Sequence, residues 1–195
     1  MVLGAGEIAR GIHGALGFLK RDPVAPSWFD NTREACVRSF QVMILVAPLH
    51  AALIMLRYAT VTSTADEFEI VLAEALRYVV EWTLFPVLFY EIARRRNWLD
   101  RFPRYISALN WVNLPAMMVA VIGVVLASLL PPLPGELMRI GLQALFFYWF
   151  LVTSRMVLGA TWPVAVLLLI VNWVPSIFLS LIVDRYLGVA VAVGT

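Results

Sequence analysis

The sequence predicts an all-α fold: a polytopic membrane helical bundle of five transmembrane helices, N-in/C-out, preceded by a short interfacial amphipathic helix. Three observations carry that prediction. Of 195 residues, 62% are hydrophobic and 14% charged, with a mean hydropathy of +0.84, whereas a soluble domain carries roughly a quarter charged residues. An interior of this size cannot hide that much apolar surface from water, so lipid must solvate the remainder. The apolar residues also gather in five stretches close to the length of about 20 residues that a bilayer requires, and the cations cluster at one side of alternate stretches. The same arithmetic excludes nucleic-acid binding, a disulfide scaffold (Cys36 is the only cysteine) and disorder.

Residues 1–30 form a cytoplasmic amphipathic arm and a Pro-containing linker. Ile8, Ile12, Ala15, Leu16 and Leu19 share one helical face, with Glu7, Arg10 and His13 elsewhere. This is the pattern of a helix lying in the membrane interface. Gly11, Gly14 and Gly17 weaken it, so it needs the membrane or the bundle to form. Glu7, Arg10 and His13 interrupt any uncharged core, and no cleavable signal peptide is expected. Asp22-Pro23 ends the helix, and Asn31-Thr32-Arg33-Glu34 reads as a capping box opening the next one.

The bundle occupies 31–187, with spans at 39–59, 69–92, 106–130, 137–158 and 163–183, and 188–195 is a short external tail. The second span is the weakest by hydropathy, because Glu74, Arg77 and Glu81 lie inside it. Pro131 to Gly135 reads as a rigid external turn. Pro48, Pro86, Pro115 and Pro175 are expected to kink their helices. Ala116, Ala120, Gly123 and Ala127 form a small-residue seam for close packing. Eleven cations fall on the N-terminal side of the bundle, including Arg94, Arg95, Arg96, Arg101 and Arg104, against three on the other (Arg57, Arg139, Arg185). The positive-inside rule then places the N-terminus in the cytoplasm. Lys20 is the only lysine, a bias typical of a GC-rich bacterial genome, so the expected location is a bacterial inner membrane.

Span two carries the strongest functional signal. Glu74, Arg77, Tyr78 and Glu81 share one helical face, and spacings of three and four let Arg77 pair with both carboxylates. Each charge costs about 2.5–3.5 kcal/mol at a helix centre, too much to leave facing lipid. Counted at 1.5 Å per residue from the cytoplasmic ends, His50, Glu81, Tyr148 and Ser176 all lie about 18 Å deep. The six residues His50, Glu74, Arg77, Glu81, Tyr148 and Ser176 form the candidate intramembrane polar cluster. One reading is a proton or ion relay, or a small polar ligand site. The other is that Glu74, Arg77 and Glu81 form a self-neutralised clasp, with His50 and Tyr148 satisfying each other as interhelical glue.

No catalytic residues, metal or cofactor are expected. His13 and His50 are too far apart in sequence to pair on a metal, and there is no Gly-rich phosphate loop, H-E-x-x-H or G-x-S-x-G. The basic edge from Arg94 to Arg104 is a candidate surface for anionic lipid headgroups or for a membrane or cytoplasmic protein partner.

Arg104-Tyr105-Ile106-Ser107-Ala108-Leu109, leading to Asn113-Leu114-Pro115, resembles the entry to the third span of the YIP (Ypt-interacting protein) family. The segment from Tyr148 to Arg155, followed by Gly159, is similar to that family's fourth span, and the resemblance extends over 38–183. It implies a non-enzymatic adapter or membrane-organising role. The alternative from the residues themselves is a small channel or proton-coupled transporter, or a subunit of one, using the Glu/Arg/His cluster. Five short helices enclose little pathway alone, so that version implies a homo-oligomer.

Overall fold

The computed structural model describes residues 3–191. The external tail read at 188–195 is therefore seen only to Val191. The described chain is all-α apart from one short pair of strands. The elements are α1 (Ala5–Leu19), α2 (Arg33–Ser39), α3 (Val42–Tyr58), β1 (Val61–Thr62), α4 (Glu67–Arg95), α5 (Phe102–Ser128), α6 (Pro132–Leu158), α7 (Trp162–Tyr186) and β2 (Ala190–Val191). Among the described residues, four stretches are long and apolar enough to cross a membrane: Arg33–Tyr58, Phe102–Ser128, Pro132–Leu158 and Trp162–Tyr186. The chain is accordingly a membrane protein. Helix α4 has the length, at 29 residues, but its interior charges keep it out of that set.

Local chemistry sets the boundaries. Thr32 caps α2, its side chain accepting from the Ala35 N–H, but the reciprocal capping box belongs to α4, between Asp66 and Glu69. The first span is two helices: α2 and α3 meet at Phe40-Gln41, where i→i−3 bonds tighten the turn. The external turn is shorter than the sequence suggests. Pro132 to Gly135 already form the first turn of α6, a position where proline's missing N–H has no partner to lose. Gly159, at φ 67°, closes α6 in the left-handed conformation that glycine adopts without strain. Pro48, Pro86, Pro115 and Pro175 sit inside their helices without ending them.

Five helices form a ring in the order α3, α5, α6, α7, α4. Helix α5 packs most extensively on α6, where Gly123 meets Leu142 and a Cβ at Gly135 would lie 2.6 Å from the Ala127 carbonyl oxygen. The small-residue seam thus serves packing within the chain. The ring closes between α3 and α4 through long side chains: the Tyr78 hydroxyl donates to the Met43 carbonyl at 2.6 Å, and Arg57 reaches Glu74. Burial is concentrated at the arginine-rich end, where Tyr105, Ile106, Ser107, Ala108, Asn110, Trp111 and Val112 of α5 are all covered. Farther along, Ile122, Leu126, Leu137, Ile140, Leu181 and Ile182 face outward, as lipid contact demands.

Helix α1 is present, but the face it buries is not the one its apolar residues outline. Gly11, Gly14, Ala15, Gly17 and Phe18 are covered, Ile8, Ile12 and Leu19 are half-buried, and Leu16 is exposed. The glycines that weaken the helix in isolation are its docking surface. A Cβ at Gly11 would enter the Trp111 indole, and one at Gly14 would come within 2.8 Å of Phe29 and Trp28. Gly11→Ala is expected to destabilise the docking of α1 by about 1–3 kcal/mol through overpacking. Limited trypsinolysis at Arg10 and Lys20 checks this. Equal cleavage of variant and wild type would mean that α1 does not pack through its glycines.

Candidate functional site

The five helices of the ring line a partly open cavity of 380 Å³. Val46, His50 and Leu53 reach it from α3, Glu81 and Trp82 from α4, Asn110 and Asn113 from α5, Gln143 and Phe147 from α6, and Asn172 and Trp173 from α7. The wall combines aromatic surface with one carboxylate, one imidazole and four amides, the mixture of apolar lining and few fixed polar groups that small-molecule sites share. Asn110 is engaged, its amide nitrogen donating to Ser39 Oγ at 2.9 Å. Asn113 and Gln143 are exposed. At the arginine-rich side an aromatic plug underlies the cavity: Phe85 stacks on Phe89 and meets Tyr105 and Phe150 edge-on, and Phe89 meets Tyr105 edge-on, with centroids 4.7–6.2 Å apart. The Tyr105 hydroxyl lies 2.7 Å from Ser154 Oγ inside that plug.

Glu81 stands at the end of a chain of charges. Arg77 Nη1 donates to Glu81 Oε1 at 2.8 Å, and Arg77 Nε donates to Glu74 Oε2 at 2.7 Å. Glu74, only 4% exposed, also accepts from the Tyr58 hydroxyl at 3.1 Å and from Arg57 at 3.4 Å. Arg57 in turn reaches Asp184 of α7 at 2.7 Å. Three carboxylates against two guanidiniums leave one excess negative charge on this network when its members are ionised. Its cavity end is Glu81, whereas Glu74 and Arg77 are not part of the lining. On the facing helix, the His50 ring lies against Tyr78 with centroids 4.6 Å apart. His50 Nε2 is buried without a hydrogen-bond partner.

The cluster read from helical depth therefore divides. His50 and Glu81 meet the same cavity, and Glu74 with Arg77 forms the clasp behind it. Tyr148 accepts from Arg21 Nε at 2.8 Å and lies outside the cavity. Ser176 is satisfied on its own helix, donating to the Asn172 carbonyl at 3.2 Å. Depth alone says nothing about facing, and α6 turns Tyr148 toward the α1 linker. Arg57 and Asp184, which the sequence offers only as topological markers, prove to be members of the network. Their signal was the need of Glu74 for more than one partner.

The basic edge divides too. Arg94 and Arg95 pair with Glu91 within one turn. Arg101 donates to the Leu158 carbonyl and Arg104 to that of Phe29 at 3.0 Å, so these two latch α5 to the end of α6 and to the linker. Arg96 is exposed at the end of α4. Among the described residues no group of three or more His, Cys, Asp or Glu could hold a metal ion. Comparison with known protein families, with curated proteins and with solved structures yields no match.

Proposed function

We propose that this chain is a five-span, N-in/C-out protein of a bacterial inner membrane that moves a small polar solute or a proton through its intramembrane cavity. Helix α4 is the fifth span in this reading. Its charged face turns inward, while Val71, Leu76, Val79, Val80 and Val87 are exposed on its other faces. A low average hydropathy is compatible with a span when the polar groups face protein. Such an arrangement marks conduction and coupling sites more often than plain packing.

The observation that carries the proposal is the 380 Å³ cavity whose lining includes both Glu81, at the end of a network with one surplus negative charge, and His50, whose buried Nε2 has no hydrogen-bond partner. A proton or a monovalent cation compensates that surplus, and the open amides of Asn113 and Gln143 supply neutral hydrogen bonds to a polar solute. The surplus charge and the open amides have no role in a purely structural clasp of Glu74, Arg77 and Glu81. The basic-edge adapter role implied by the YIP resemblance lacks a comparable observation, since Arg94, Arg95, Arg101 and Arg104 are engaged within the chain.

Proteoliposomes loaded with a pH-sensitive dye test the proposal. The wild-type protein is expected to dissipate an imposed pH gradient, and Glu81→Gln and His50→Ala each to slow this on the order of 100-fold, the scale of a lost proton-transfer group. Gln143→Cys, in a Cys36→Ala background, is expected to react with a membrane-impermeant thiol reagent while Ile122→Cys on the lipid face does not. Equal proton flux in all three proteins, together with an unreactive Gln143→Cys, overturns the reading.

A further inference from the structure

A second cavity, also of 380 Å³, lies at the arginine-rich end, between the linker that follows α1 and the last turns of α6. We propose that it binds the phosphate of an anionic phospholipid, with the acyl region running along its apolar wall. Two guanidiniums line it, those of Arg21 and Arg155, and its lining includes no carboxylate. The nearest acid in sequence, Asp22, is turned to its own backbone, where Oδ1 accepts from the Val24 N–H at 2.9 Å.

Both arginines are held by their inner nitrogen. Arg21 Nε donates to the Tyr148 hydroxyl at 2.8 Å, and Arg155 Nε to the Ala160 carbonyl at 3.3 Å. Anchoring at Nε fixes the plane of the fork and leaves the terminal nitrogens as donors, the geometry in which guanidinium recognises phosphate. Arg155 is further fixed by lying over the Trp162 indole, 4.1 Å from its centroid. The backbone of Arg21 sits at φ 54°, in the left-handed region just past the helix, where glycine is the ordinary residue. A strained backbone that carries an arginine in place of glycine is retained where the side chain has a use.

The apolar side of the groove is Val152, Met156 and Trp162. Val152, the α6 lining residue farthest from the end of that helix, lies six residues, about 9 Å, before it. The groove therefore runs from headgroup level into the acyl region, with a tryptophan at the interface where the indole has both an apolar body and a polar edge. This is also the end at which cations are in excess, and so the leaflet where an anionic headgroup would be met. The site is separate from the central cavity, and its failure would leave the solute proposal untouched.

The test uses the full chain in a neutral detergent, titrated with phosphatidylglycerol, phosphatidylcholine or inorganic phosphate and followed by native mass spectrometry and thermal unfolding. One phosphatidylglycerol is expected to be retained and to raise Tm, while phosphatidylcholine and inorganic phosphate do neither. Arg21→Gln and Arg155→Gln should each weaken phosphatidylglycerol binding roughly fivefold, and the Arg94→Gln/Arg95→Gln pair should leave it unchanged. Arg155→Gln keeps the Arg21–Tyr148 bond and decides the matter if the Arg21 variant does not fold. Equal retention of phosphatidylcholine, wild-type binding by Arg155→Gln, or the same stabilisation by inorganic phosphate would each overturn the lipid assignment, the last in favour of a free anion.

Discussion

Arg77→Ala is expected to destabilise the detergent-solubilised protein by about 3–5 kcal/mol, because it strips Glu74 and Glu81 of their shared partner inside the bundle. The side chain of Arg77 is 11% exposed and donates to Glu74 at 2.7 Å and to Glu81 at 2.8 Å. After the substitution Glu74 still has Arg57 and the Tyr58 hydroxyl, but no other salt-bridge partner of Glu81 is present among the described residues. Most of the loss should thus come from one stranded carboxylate. The Arg77→Leu/Glu81→Leu pair is accordingly expected to recover most of the stability, since exchanging a buried ion pair for apolar side chains of similar volume is often neutral. The two changes must therefore be strongly non-additive. Thermal unfolding followed by size-exclusion profile measures both. An Arg77→Ala protein as stable as wild type would mean that the network does not hold α4 in the ring. The same double variant keeps the fold while removing Glu81, and it should show no proton flux, which separates the structural share of this network from its proposed use.

The parts of this fold that the sequence makes legible are those governed by one-dimensional patterns. Runs of apolar residues locate the helices to within a few positions, and the spacing of Glu74, Arg77 and Glu81 already implies the pairing that Arg77 makes. What depends on how helices turn relative to one another is not legible in that way. Tyr148 and His50 have similar computed depths, yet α6 points Tyr148 at Arg21 while α3 points His50 into the cavity. The glycines of α1 mislead for a related reason. Helix propensity counts a missing side chain as a loss, but against a rigid indole such as Trp111 the missing side chain is the contact. Arg101 and Arg104 carry topological information in the sequence because any cation does. Their bonds to the carbonyls of Leu158 and Phe29 depend on distant chain ends meeting, which no local pattern records.

Trp149→Ala is expected to be as costly as the loss of Arg77, for a different physical reason. Trp149 is 1% exposed, the largest of the fully buried side chains, and its truncation removes a large aromatic surface and leaves a void that neighbouring helices can only partly fill. The expected destabilisation is about 3–5 kcal/mol. Part of it is specific, because Trp149 Nε1 donates to the Ala15 carbonyl at 2.9 Å and so ties α6 to α1 across 134 residues of sequence. Trp149→Phe separates the two contributions: it keeps most of the bulk and should lose about 1 kcal/mol for the missing hydrogen bond. Both variants should speed trypsin cleavage at Lys20 and Arg21, the alanine variant far more. Trp149 also borders the central cavity, so in the alanine variant that cavity extends toward the α1 cradle. Reactivity of the Gln143→Cys probe with the impermeant reagent should then rise above that in the otherwise wild-type chain. Unchanged reactivity together with normal stability would mean that Trp149 neither anchors α1 nor seals the cavity on that side.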